Sequence, residues 1–202
     1  MRFEPPAAEC TIYTFKDGLL SAIAHDLQIR VTRFHVDVER GQGARTPITA
    51  HFDARSLRVM TAMSHGRPHG ALTEADKRTI ERNIVEDVLD ARRFPDIRFE
   101  ARAVDGSGEV RSLGGTLFLH GREKAIAFEA RLRGASWRAE IPIHQPDFGI
   151  KPFSAMLGTL KIRPDLVVRV SLPVSASDTE RETLDSGGPG GPGDRAGKPT
   201  AA

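Results

Sequence analysis

What this 202-residue sequence lacks narrows its function first. Cysteine occurs once, as Cys10, which excludes an internal disulfide and a cysteine-based zinc site. Serines 21, 64 and 154 lie outside any nucleophile-elbow context, and no glycine-rich loop opens a helix to cradle a phosphate. No apolar run is long enough to cross a bilayer, and Met1 to Pro6 contains no signal-like apolar core. The formal charge is only +2, and the residues before the acidic tail are slightly basic, far from the balance of a nucleic-acid binder. These absences predict a soluble, cytoplasmic chain with no transmembrane segment, no nucleic-acid partner, no resident cofactor or metal, and no recognisable catalytic set.

What is present is alternation. From Phe94 to Ile150 four runs place apolar and polar residues on opposite faces: Asp96 onward, Thr116 to His120, Lys124 to Arg133, and Ser136 to His144. Upstream, Glu9 to Lys16 reads as a strand, and a longer one runs from His25-Asp26 to about Arg40. In that second run the apolar residues change phase, from odd Ile29 and Val31 to even Phe34, Val36 and Val38. Both sets face inward only if a bulge or a sharp bend lies near Thr32-Arg33. Gly41-Gln42-Gly43 then turns the chain into a strand carrying Ile48, Ala50 and Phe52. A final strand spans Asp165 to Pro173.

Between the two groups of strands, Arg58 to Leu72 reads as a long loop containing His65 and His69. Thr73 and Asp76 form a capping signature for a helix to about Ala91, with Ile80, Ile84 and Val88 on one stripe. Leu19 to Ala24 suits one or two helical turns. About eight strands with one inserted helix predict a mainly β, antiparallel barrel over residues 1–174, closed or nearly so, with a two-sheet sandwich as the alternative. Residues 175–202, rich in glycine and proline, read as a disordered tail.

The interior decides function. An inward set of Ile97, Phe99, Phe118, Phe128 and Trp137, interrupted by alanines such as Ala101, Ala103 and Ala130, describes either a filled core or an apolar tunnel. A tunnel gains roughly 0.8 kcal/mol for each CH₂ it buries, so a long chain binds there with few polar contacts.

Several segments resemble the YceI-like family. Phe94-Pro95-x-Ile97-x-Phe99 is similar to its aromatic-Pro-x-Ile-x-Phe strand. Leu117-Phe118-Leu119-His120-Gly121 with Lys124 resembles its hairpin, and Asp147-Phe148-Gly149 its late turn; His25 falls where many members carry a histidine. The likeness runs from about Cys10 to Leu172. Ala125 replaces the proline usual after the hairpin lysine, and Thr32-Arg33 lacks the usual nearby glycine. The resemblance implies an extended, lipocalin-like barrel with a helix at one end. It also implies that a polyisoprenoid, quinone or fatty-acyl amphiphile binds in the lumen for storage or carriage.

On that reading Ile97, Phe99, Phe118, Phe128 and Trp137 line the site, and His25 and His144 stand at its mouth. Two rivals remain open. One is a metal-dependent enzyme using His25, Asp26 and His144. The other is a filled barrel acting as a protein-interaction scaffold. A homodimer is compatible with either, although no residue pattern marks an interface.

Overall fold

Period-2 alternation becomes strands wherever one face has something apolar to cover. The computed structural model describes residues 1–17, 25–39, 47–70, 72–155 and 160–174. The helical turns expected at 19–24, the turn at 41–43 and the tail at 175–202 lie outside the described residues, as does the side chain of Ala103.

Thirteen strands form among the described residues: β1 (Arg2–Phe3), β2 (Glu9–Asp17), β3 (Asp26–Val31), β4 (Phe34–Val38), β5 (Ile48–Asp53), β6 (Leu57–Ser64), β7 (Arg67–His69), β8 (Asp96–Asp105), β9 (Val110–Leu119), β10 (Arg122–Arg133), β11 (Ser136–His144), β12 (Ser154–Ala155) and β13 (Leu160–Pro173). They join one antiparallel sheet in the order β1-β4-β5-β8-β9-β10-β11-β13-β2-β3-β6-β7, with β12 beside β13. The mainly β, half-barrel architecture with one helix matches expectation; the strand count exceeds it because one run is cut by a bend into β3 and β4, and β1, β6, β7 and β12 form in segments without clear alternation.

The bend expected at Thr32-Arg33 is the hinge of the fold. It separates β3 from β4, so Ile29 and Val31 are buried before it and Phe34 and Val36 after it. β3 lies near one end of the sheet order and β4 near the other. Because only two residues separate them, the sheet must curl until its ends meet. The same crossing is made by β5 and β6, joined through a short 3₁₀ turn at Ala54–Ser56. The two crossings are tied together: Thr32 N donates to Ser56 O at 3.0 Å, and Asp53 N to Arg33 O at 3.1 Å.

Ser56, fully buried, pins this corner. Its hydroxyl accepts from Arg33 N at 3.1 Å and donates to Asp53 O at 2.8 Å. Asp53 caps the turn by accepting from Arg55 N at 2.8 Å, and its other oxygen accepts from Arg33 Nη2 at 2.8 Å. Partial burial pushes the Asp53 pKa up, but the hydrogen bonds from Arg33 and Arg55 outweigh it and hold the carboxyl below its ordinary value.

The segment read as a loop from Arg58 to Leu72 is instead a hairpin of β6 and β7. Leu57 and Val59 bury inward against Leu27 and Ile29, and the two-residue turn His65-Gly66 has both φ values positive, +51° and +75°. The alternation was masked by a register shift at Gln28/Ile29. That shift leaves Val59 N to donate to Glu81 Oε1 of the helix, at 2.8 Å.

The helix α1 (Glu74–Asn83) starts with the expected capping box: Asp76 N donates to Thr73 Oγ1 at 3.2 Å, and Thr73 N to Asp76 Oδ2 at 2.9 Å. It continues as a π-helical stretch, Ile84–Val88, before the chain leaves toward Pro95. The wider turn brings both Val88 and Leu89 against the interior. The last strand begins at Leu160, five residues earlier than the pattern suggested. Its ladder to β2 is interrupted between Ile162 and Leu166, around Pro164.

Replacing Ser56 with alanine leaves Arg33 N without its side-chain acceptor inside the corner. Urea unfolding is expected to show a loss of about 1–3 kcal/mol; an unchanged midpoint would show that the corner does not need the hydroxyl.

Candidate functional site

The curled sheet encloses a cavity of about 660 Å³, within the usual small-molecule range of roughly 300–1,000 Å³. Its wall comes from the inner faces of β2 to β6, β8 to β11 and β13, with α1 and the π-helical stretch at one end. Ile126, Phe128, Ala130 and Trp137 are only partly buried although they point inward. Part of each of these side chains faces the open space.

Parity decides which residues reach this space. The β9–β10 hairpin turns on His120 and Gly121, both at positive φ, so Leu119 pairs with Arg122 and every β9 residue pairs with a β10 residue of opposite parity. Inward Ile126 and Phe128 therefore lie beside Gly115 and Leu113, and inward β9 positions are odd. This corrects the placement of Phe118. It lies on the outer face, beneath the Arg98 guanidinium at 4.3 Å from the ring centroid. From Arg98 to Ala101 the β8–β9 ladder pairs like parities, placing Phe99 beside Leu117 on the inner face.

Ile97, Phe99, Phe128, Trp137 and His25 line the cavity. His144 does not: the inward β11 residues are odd, and its ring turns outward, with Nδ1 2.7 Å from Asp165 Oδ1. The sequence reading missed Leu113 and Leu117, whose parity follows from the two-residue turn. It also missed the notch at Gly115. A Cβ there would stand 2.3 Å from Glu100 O and 2.6 Å from the Phe99 ring, so only glycine lets that ring approach β9. Phe99 then contacts Phe128, ring centroids 5.4 Å apart.

Polar groups gather at the helix end. Thr14, His25, Asp76, Thr79 and Asn83 reach the cavity there. Thr14 Oγ1 is buried, with no hydrogen-bond partner among the described residues. Gln145 is held in place, its side-chain amide donating to Arg163 O at 3.0 Å. His25 and His69 rings stand 6.3 Å apart, and His65 occupies the exposed hairpin turn. His25, Asp26 and His144 do not converge: Asp26 Oδ1 accepts from Lys16 N at 2.8 Å while His144 faces outward. Among the described residues no group of three His, Cys, Asp or Glu side chains is arranged for a metal, and no helix is long and apolar enough to cross a membrane.

Cys10 lies on the cavity wall, almost wholly buried, and burial pushes its thiol up to about 12. In the folded protein at pH 8 it is expected to resist iodoacetamide for hours and to react within minutes in denaturant. Rapid labelling of the native chain would show that this stretch of wall opens to solvent.

A family model described as a YceI-like domain matches residues 16–175. A UPF0312 protein of Pseudomonas putida (strain W619) is 32% identical over 87 residues, covering 38% of this chain and 45% of that protein; the chain thus spans just under half the length of this relative. Among solved structures, BcnA of Burkholderia cenocepacia aligns with a TM-score of 0.60 at 12% identity, over 83% of this chain and 96% of that one. A polyisoprenoid binding domain from Saccharophagus degradans, implicated in plant cell wall breakdown, aligns at 0.52 and 12% identity, over 82% and 91%. The YCEI protein of Campylobacter jejuni aligns at 0.50 and 13% identity, over 73% and 84%. At these identities the structural likeness is one of fold.

Proposed function

This chain belongs to the YceI-like family, and on that premise we propose that it binds one long-chain apolar or amphiphilic ligand inside its cavity, for storage or carriage. The ligand is of polyisoprenoid, quinone or fatty-acyl type. The observation that carries this reading is the wall of half-buried aliphatic and aromatic side chains around about 660 Å³. Each CH₂ taken from water into such a space contributes roughly 0.8 kcal/mol, so useful affinity needs few polar contacts. Ile97, Phe99, Phe128 and Trp137 supply contact along the chain, and His25 with Thr14 offers hydrogen bonds at the helix end. The Saccharophagus neighbour, named for polyisoprenoid binding, supports the isoprenoid option within this class.

The role is one of binding, not catalysis. The polar residues on the wall offer hydrogen bonds to a ligand, with no nucleophile paired to a base among those described. A filled barrel serving only as an interaction scaffold would need these wall residues packed on one another, which the open volume disfavours.

Native mass spectrometry after gentle extraction tests the proposal, followed by titration of the delipidated chain with polyprenyl, quinone and acyl ligands. A single bound amphiphile is expected, and Ala130→Trp, which adds bulk to the wall, should weaken binding by about tenfold or more while the chain stays folded. Failure of all three ligand classes to bind would overturn the reading.

A further inference from the structure

The inward series on β9 does not stop at Leu113: one step further along the same face stands Arg111. It pairs across the ladder with Ala130, which lines the cavity, and its guanidinium lies 4.9 Å from the centroid of the Trp137 ring, another wall residue. Arg111 is half-buried. Its Nη1 donates to Gly108 O at 2.7 Å and to Val110 O at 3.0 Å, which fixes the plane of the group. Among the described residues, Nε and Nη2 meet no acceptor and no carboxylate pairs with this side chain.

Arg2, Arg33, Arg55, Arg98, Arg131 and Arg169 each face a carboxylate on the protein surface. Arg111 instead is anchored by two backbone carbonyls and the Trp137 ring at the edge of an apolar cavity. The N–H groups left free, Nε and Nη2, are the pair that grips two oxygens of one carboxylate or phosphate side by side. On the outer surface of the same sheet end, Arg133 and Arg138 also have no acid partner among the described residues, which makes the local potential positive.

We propose that Arg111, stacked on Trp137, is the head-group anchor of the cavity, and that it selects amphiphiles whose long apolar tail ends in an anionic oxygen group, a carboxylate or a phosphate. The inference rests on the cavity being a chain-binding site. It places the anionic head at the Trp137 end and the tail toward the helix, where the Asp76 carboxylate lines the wall. A charge-assisted pair at a half-buried rim, made only when the head is ionised, discriminates against the matching alcohol by about tenfold or more.

The test is a calorimetric titration of the delipidated full chain with three ligands sharing one tail: oleate, oleyl phosphate and oleyl alcohol. Both anions are expected to bind at least about tenfold more tightly than the alcohol. Arg111→Met should remove that preference and leave alcohol affinity unchanged, and Arg111→Lys should keep part of it. Whichever anion loses more affinity in Arg111→Met identifies the head group the fork fits. Equal affinities for all three ligands in the wild type, or an equal loss for all three in Arg111→Met, would overturn the assignment while leaving chain binding intact. Should Arg111→Met fail to fold, the wild-type series and Arg111→Lys still decide it. Binding of none of the three would overturn both this inference and the proposed function.

Discussion

Closure of the sheet depends on one corner, where two strands bend at the same place and are tied by their backbones. β3 and β5 each continue, after a break of two or three residues, into strands at the other end of the sheet order. Thr32, Arg33, Asp53 and Ser56 close that junction with hydrogen bonds between backbone and side-chain groups. In most half-open sheets the ends present unpaired edges. Here the ends are connected covalently, and only the short strands β1 and β7 terminate the ladder.

The interior follows from that closure. A sheet forced to curl has more inner wall than one helix can cover, so the helix seals only one end. Ile80 and Ile84 pack on the patch of Leu27, Ile29, Leu57 and Val59, while Phe34, Val36, Ala50 and Phe99 belong to the other, larger buried cluster. The wall between them stays open because small residues recur on it: Gly115 admits the Phe99 ring, and Ala130 and Ala139 stop short of the middle. Larger residues at those positions would turn the same pattern into a filled core.

Much of this was legible in the sequence, for physical reasons. The phase change between Val31 and Phe34 requires a bulge or a bend in a half-buried strand, and the chain bends there. Thr73 and Asp76 specify a capping box by chemistry alone, and it formed. Arg58 to Leu72 was not legible, because the register shift at Gln28/Ile29 and the exposed face of β7 hide the alternation of a true hairpin. The inward set erred only on β9 and at the end of β11. Phe118 and His144 have side-chain types that suit a binding site, but a two-residue turn and a period of two send both outward. Residue type proposed them; parity removed them. Arg111 was invisible to the same reading, since one arginine among many acquires meaning only from the face it occupies and the partners it lacks.

Trp137 offers the most direct measurement, because it is the single tryptophan of the chain and lies on the cavity wall. Its emission should be quenched, saturably and with one-to-one stoichiometry, by a dibrominated stearate, while unbrominated stearate competes the quenching away. A brominated chain that leaves Trp137 emission unchanged at saturating concentration would contradict the account, since the apolar wall would then not be where the chain resides.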